Sequence, residues 1–299
     1  MSKAVDLAKQ RTPNSVRVVA RRAMLEGHNA RLRLTVPVVA RCGYDNVYHC
    51  AMQKTASQWI KALFSDRIVY RHSGLLPYVP RYYKWRNPQP FPTGRAVMSL
   101  FISYAGYQKF PKPERYRTFY VLRDPRDMVV SNYFSTRDSH APMGDIPQVR
   151  AVLQDVPFKE GLLYLIGHLA GKGTFRALQS WVTAADSEHV SLFRYEELTG
   201  ERQAEEVDRL MRHCGIVIPP AELAELLDRY SFARMRGGVP AQGTASHYRK
   251  GKAGDWRNHF DDEVYDAFRA ATGDLVERLG YPAGPVAEDR PRRSSARDG

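Results

Sequence analysis

Tyr120-Val121-Leu122-Arg123-Asp124-Pro125-Arg126-Asp127-Met128-Val129-Val130-Ser131 is the stretch that decides the fold. A short apolar run ends in charge, and a proline then stands where a first helical turn tolerates it, which predicts a buried strand feeding directly into a helix. An arginine at the carboxyl end of a buried strand is expensive to place there for packing alone. Arg123, with Ser131 about two helical turns along, could hold one phosphate from two sides. A salt-bridged helix cap built from Asp124 and Arg126 is the plainer use of the same charges.

The pattern repeats outward from this point. Val47 to Met52, Ala96 to Ile102 and Val190 to Phe193 also have the length and apolar character of buried strands, as does Thr118 to Leu122 within the stretch above. A further strand is expected at Arg67 to Tyr70. Helices are predicted from about Ser57, Pro125, Phe158, Glu201, Glu222 and Asp261. Alternation of this kind predicts an α/β fold, one domain with a central parallel sheet flanked by helices on both faces. Ligands of such sheets sit at the carboxyl ends of the strands.

Two more turns fit an anion there. Gln53-Lys54-Thr55-Ala56-Ser57-Gln58-Trp59 leaves one strand and enters a helix, so main-chain N–H groups, two hydroxyls and a lysine converge. It stands where a P-loop would but lacks that motif's glycines, which disfavours a nucleoside triphosphatase. His247-Tyr248-Arg249-Lys250-Gly251-Lys252-Ala253-Gly254-Asp255-Trp256-Arg257 is a basic loop punctuated by glycine before the last helix. Glycine lets the backbone approach an anion closely.

The three segments, in this order and at these separations, resemble the cytosolic sulfotransferase family. That resemblance implies a P-loop-like sulfotransferase fold and transfer of a sulfuryl group from 3′-phosphoadenosine 5′-phosphosulfate (PAPS) to a hydroxyl, leaving adenosine 3′,5′-bisphosphate (PAP). By the same resemblance Lys54, Thr55, Ala56, Ser57, Gln58 and Trp59 would hold the 5′-phosphosulfate end. Arg123 and Ser131, with Arg249, Lys250 and Gly251, would hold the 3′-phosphate. Tyr195, Trp59 and Phe232 would lie near the adenine. Lys54 would also be catalytic, opposing charge on the departing bisphosphate.

The family's usual general base is a histidine about 22 residues before the phosphate-binding arginine. Phe101 stands there. His72 and His140 are equal candidates to replace it, with Asp66 well below them. The dimer signature of many family members is missing after Trp256, so the oligomeric state is not inherited. Tyr82, Tyr83 and Trp85, among prolines, could roof an acceptor pocket, favouring a phenol, lipid or polyketide alcohol over a polysaccharide.

The remaining features set limits. The net charge of +13 over 299 residues attracts anions, whether nucleic acid, acidic lipid or a polyanionic cofactor. A nucleotide-dependent kinase and a basic nucleic-acid-binding protein therefore remain as alternatives. Three cysteines without a CxxC pair, and no metal-spaced cluster, argue for reduced thiols and no metal. No apolar run reaches spanning length, so a cytoplasmic protein is expected. Residues 1–41 read as a basic extension whose Val16, Val18, Val19, Ala20, Met24 and Leu25 could line one side of a helix, packed on the main domain or touching a membrane surface. Residues 42–281 read as the sulfotransferase domain and 282–299 as a disordered tail.

Overall fold

A computed structural model describes residues 14–80, 88–235 and 253–284. Five strands, β1 (Asn46–Ala51), β2 (Leu76–Tyr78), β3 (Arg95–Phe101), β4 (Tyr116–Leu122) and β5 (Val190–Arg194), form one sheet in the order β2-β3-β1-β4-β5. Every pairing is parallel, as expected for apolar strands separated by helices. The helices are α1 (Asn14–Thr35), α2 (Ser57–Phe64), α3 (Arg67–Arg71), α4 (Tyr104–Gln108), α5 (Pro125–Phe134), α6 (Ile146–Asp155), α7 (Phe158–Gly171), α8 (Thr174–Gln179), α9 (Tyr195–Leu198), α10 (Gln203–His213), α11 (Pro220–Arg229), α12 (Phe232–Met235), α13 (Asp262–Thr272) and α14 (Leu275–Arg278).

Strand side chains alternate between two cores, the period-two consequence of the pleat. Tyr48, Cys50, Val97, Tyr120 and Leu122 join residues of α5–α8, α13 and α14 on one face. Val47, Ala96, Met98, Phe119 and Val121 join residues of α2, α3, α10 and α11 on the other. Each fully buried Leu, Ile or Phe in these layers contributes about 1.5–3 kcal/mol, so the sheet is held from both sides. Between Tyr48 and Cys50 the β1–β3 register slips by one residue, and Ser99 opposite the slip has φ 65°. That bulge turns the end of β3 relative to β1.

Two expectations are corrected. Arg67–Tyr70 is helical, not a strand: the buried Asp66 carboxylate accepts from Ile68 N at 2.8 Å, capping α3, and is itself held by Arg229 and Tyr230. That cap and its distant partners outweigh the strand preference of Ile68 and Val69. The edge strand β2, with Pro77 at its centre, follows instead. In α1, Val19 and Met24 are exposed, so they do not form the packing side. Contact is made further along, where His28 bonds Ser65 O, Asn29 donates to Pro77 O, and Leu32 packs with Tyr70 and Leu76. No helix among the described residues is long and apolar enough to cross a membrane. Of the expected tail, residues from 285 on lie outside the described residues, as do Tyr82, Tyr83 and Trp85.

Candidate active site at the strand ends

At the end of β1 the chain turns through two non-glycine residues in the left-handed region, Lys54 at φ 70° and Ala56 at φ 57°. Such conformations cost about 1–3 kcal/mol each and concentrate at ligand-binding turns. The Thr55 hydroxyl donates to Met52 O at 2.8 Å and closes the turn. Helix α2 then starts without a side-chain cap, which leaves its first N–H groups aimed at whatever stands above Lys54.

Arg123, buried at the end of β4, joins three strand ends. Its Nη1 donates to Lys54 O at 2.8 Å, and its guanidinium lies 4.3 Å from the ring centre of Tyr195, the first residue after β5. Its Nε is buried without a hydrogen-bond partner in the described residues. An unpaired buried N–H of a cation costs several kcal/mol unless an anion meets it. Ser131 lies half-buried on α5, eight residues along.

The Lys54 ammonium completes the positive field. Burial, reinforced by the Arg123 charge, pulls its pKa down to about 8. An anion placed between the two cations would offset the Arg123 charge and the burial cost by its own attraction, and so favour the ammonium form.

The surroundings hold this cluster rigid. Asp124 caps α5 at Arg126 N, and its carboxylate takes both Nε and Nη2 of Arg126 at 2.9 and 2.7 Å, so the plainer cap exists beside the Arg123 arrangement. Glu196 accepts from Asp124 N and from the Tyr281 hydroxyl; burial raises its pKa, while those bonds and Arg123 hold it down. Asp127 accepts from Gly254 N at 2.6 Å and Trp256 N at 2.8 Å, and Arg126 stacks on the Trp256 indole at 3.8 Å. Burial pushes the Asp127 pKa up against Arg123 and the two amides. Gly254 has φ 78°, a conformation that a side chain would strain. Asp127 thus fixes the carboxyl end of the basic loop to the helix bearing Ser131. Arg249, Lys250 and Gly251 of that loop lie outside the described residues.

Of the aromatics, Trp59 is buried and its indole donates to Tyr230 O at 3.0 Å, two residues before the partly exposed Phe232. The family model for the sulfotransferase domain matches residues 94–280. The chain belongs to the sulfotransferase domain family.

Among curated sulfotransferases, the chain is 25% identical over 198 residues to "Sulfotransferase 2A1" of Homo sapiens, covering 60% of this chain and 66% of that protein. It is 23% identical over 253 residues to "Flavonol sulfotransferase-like" of Flaveria bidentis, covering 74% and 78%. The chain thus spans just under two thirds of the human relative's length. A crystal structure of a mouse sulfotransferase complexed with PAP has the same fold, with a TM-score of 0.53, 17% identity, and coverage of 84% of this chain and 88% of that one.

Around the end of β3 the chain departs from the expectations. Phe101 ends β3 opposite Ala51 and, with Met52, Ile102, Ser103, Lys172, Gly173, Thr174, Arg176 and Ala177, lines a cavity of about 410 Å³. His72 is not brought to it. It caps α3 before β2, near the amino ends of the strands, with its Nε2 3.1 Å from Glu222 Oε2. The six residues of β1 separate the two ends of the sheet by about 20 Å. Asp66 is spent on the α3 cap. His140 ends a π-turn, Ser135–Ser139, that continues α5; its Nδ1 is 3.0 Å from Ala141 O and its carbonyl receives Arg150.

Asp127, Glu196 and Tyr281 were not among the residues read from sequence as site residues. Asp127 stood inside the deciding stretch, but nothing local marks its partners 127 and 129 residues away.

Proposed function

We propose that this chain is an enzyme that transfers a sulfuryl group from PAPS to the hydroxyl of a small-molecule acceptor. The observation that supports this most is Arg123: buried, fixed by Lys54 O and Tyr195, with one N–H left for an anion. When bound, PAPS supplies the activated sulfuryl group and its bisphosphate as the leaving group.

The residues present fit such a dianionic nucleotide. Lys54 and the free α2 amides face the 5′ end in this reading; Arg123 and Ser131 take the 3′-phosphate, joined by Arg249, Lys250 and Gly251. Tyr195, Trp59 and Phe232 border the adenine. Thr55, Ser57 and Gln58 supply the remaining polar groups of the first turn. Lys54 stays protonated beside an anion and opposes charge that develops during in-line transfer. With His72 at the far end of the sheet, His140 is the histidine carried forward as general base.

The relatives support a small hydroxylated acceptor, since two of them are named for 3-hydroxysteroids and one for flavonols. A cytoplasmic location, with residues 42–281 as the catalytic unit behind the basic extension, belongs to the same reading. The test is calorimetric titration of the chain with PAP, ADP and ATP with magnesium, followed by radiolabelled PAPS assays on phenols and sterols. Tight PAP binding and labelled product are expected. ATP binding equal to PAP binding would instead support the kinase reading.

A further inference from the structure

The cavity beside Phe101 carries a charge pattern that a neutral acceptor does not need. It opens at the paired ends of β1 and β3, and Met52 in its wall accepts the Thr55 hydroxyl, so it adjoins the Lys54 turn. Its apolar wall is Met52, Phe101, Ile102 and Ala177, and its charged wall is Lys172 and Arg176, with no carboxylate in the lining among the described residues. The two cations differ. Lys172 is already paired, its Nζ 2.6 Å from Asp145 Oδ2.

The exposed side chain of Arg176 makes no hydrogen bond or ion pair among the described residues, and its guanidinium lies across Gly173, 3.4 Å from where a Cβ would stand. Gly173 has φ 73°, so the backbone there is shaped for glycine and leaves room for the guanidinium along the cavity wall. An apolar acceptor filling this space would strip water from Arg176 and return nothing for it. An oxyanion would replace that water with a bidentate charge-assisted pair. Such an acceptor would also enter beside a polyanionic nucleotide, and a cation on the far wall offsets that repulsion.

We propose that the acceptor of this site is a compact hydroxylated molecule bearing an oxyanion, with its apolar body against Met52 and Phe101 and its oxyanion on Arg176. This rests on the sulfuryl-transfer reading above. The oxyanion is a carboxylate or a phosphate, which share the same fork geometry toward a guanidinium.

Calorimetry on the PAP-saturated chain tests it with 4-hydroxybenzoate, 4-hydroxyphenyl phosphate and 4-methylphenol, the last being the same ring without charge. At least one anionic phenol is expected to bind at least about tenfold more tightly than 4-methylphenol, the scale of one charge-assisted bond. The tighter of the two anions identifies the oxyanion. Arg176→Gln should bring the ratio to within about twofold, Arg176→Lys should restore part of it, and Lys172→Gln should change it less. Thermal melts check that these exposed-site variants fold.

Equal or tighter binding of 4-methylphenol, no binding of either anion, or an unchanged ratio in Arg176→Gln would overturn the proposal. Repeating the titration without PAP separates the two readings. Anion preference that persists in a chain unable to bind PAP supports the cavity assignment and breaks the sulfuryl-transfer reading. PAP binding without anion preference does the reverse.

Discussion

The end of β4 and the end of β3 lie on one edge of a single sheet, with β1 between them, yet they differ in how tightly chemistry constrains their residues. At β4, Arg123 is tied to Lys54 O, stacked on Tyr195 and flanked by the Asp124–Arg126 cap. At β3, a bulge at Ser99 is followed by Phe101, where the family resemblance led to the expectation of a histidine, and beyond it opens a cavity walled by α8. A phosphorylated nucleotide presents the same charges to every member of a family, so the residues that meet it have few substitutes. On the proposed reading the cavity at β3 faces the acceptor, which varies, so its wall is free to vary with it.

The largest expected effect is at Lys54, on the constrained side. Lys54→Met should lower kcat by about 10²–10³-fold, the scale for losing one preorganised charge donor. It should also melt at an equal or higher temperature. With its pKa at about 8 in the fold, against 10.5 for the free side chain, the buried ammonium costs stability fully below pH 8, and that cost fades as pH rises toward 10.5. Removing it should therefore stabilise the chain at pH 7 by about 1–2 kcal/mol. A variant that is both inactive and less stable would make Lys54 a packing residue and erase the contrast.

Asp127→Ala tests whether the constrained side depends on a residue that touches no ligand. Losing acceptors for Gly254 N and Trp256 N should cost about 1–3 kcal/mol in urea unfolding and weaken PAP binding. Unchanged PAP affinity would limit Asp127 to stability.

A smaller effect follows from protons. In the free chain Lys54 loses its proton as pH passes about 8, whereas a bound anion favours the ammonium form, so PAP binding must take up a proton above that pH. Affinity should fall by up to about tenfold between pH 8 and pH 9. Titration in two buffers of different ionisation enthalpy counts the proton directly, and zero uptake at pH 8.5 would remove Lys54 from the site.

The smallest effect is expected at His72. His72→Ala should leave kcat within about twofold and cost about 1 kcal/mol through its bond to Glu222. A large loss of kcat would mean that the base sits where the sheet geometry places none.

The same contrast explains what the sequence disclosed. The parallel sheet, the starts of α2, α5 and α7, and the strand-end cations Lys54 and Arg123 were legible because short apolar runs and strand-end charges are local patterns, whereas Tyr195 was pointed to only by the family resemblance. Arg67–Tyr70 misled because the cap that makes it helical needs Arg229 and Tyr230, more than 160 residues away. Asp127 carried no local signal, since its amide partners Gly254 and Trp256 come from the far end of the chain. Arg176 carried no signal, because an unpaired arginine on a wall is visible only once the wall is built. In α1 the apolar positions Val19 and Met24 suggested a packing face that tertiary contacts at His28, Asn29 and Leu32 replaced.

Calorimetric binding of PAP to the wild type and to Arg123→Ala tests the central claim most directly, with ATP and magnesium in parallel. Tight PAP binding that Arg123→Ala weakens by about 1.5–3 kcal/mol, the worth of a charge-assisted hydrogen bond, is the predicted result. Absent PAP binding, or an affinity that Arg123→Ala leaves unchanged, would contradict it.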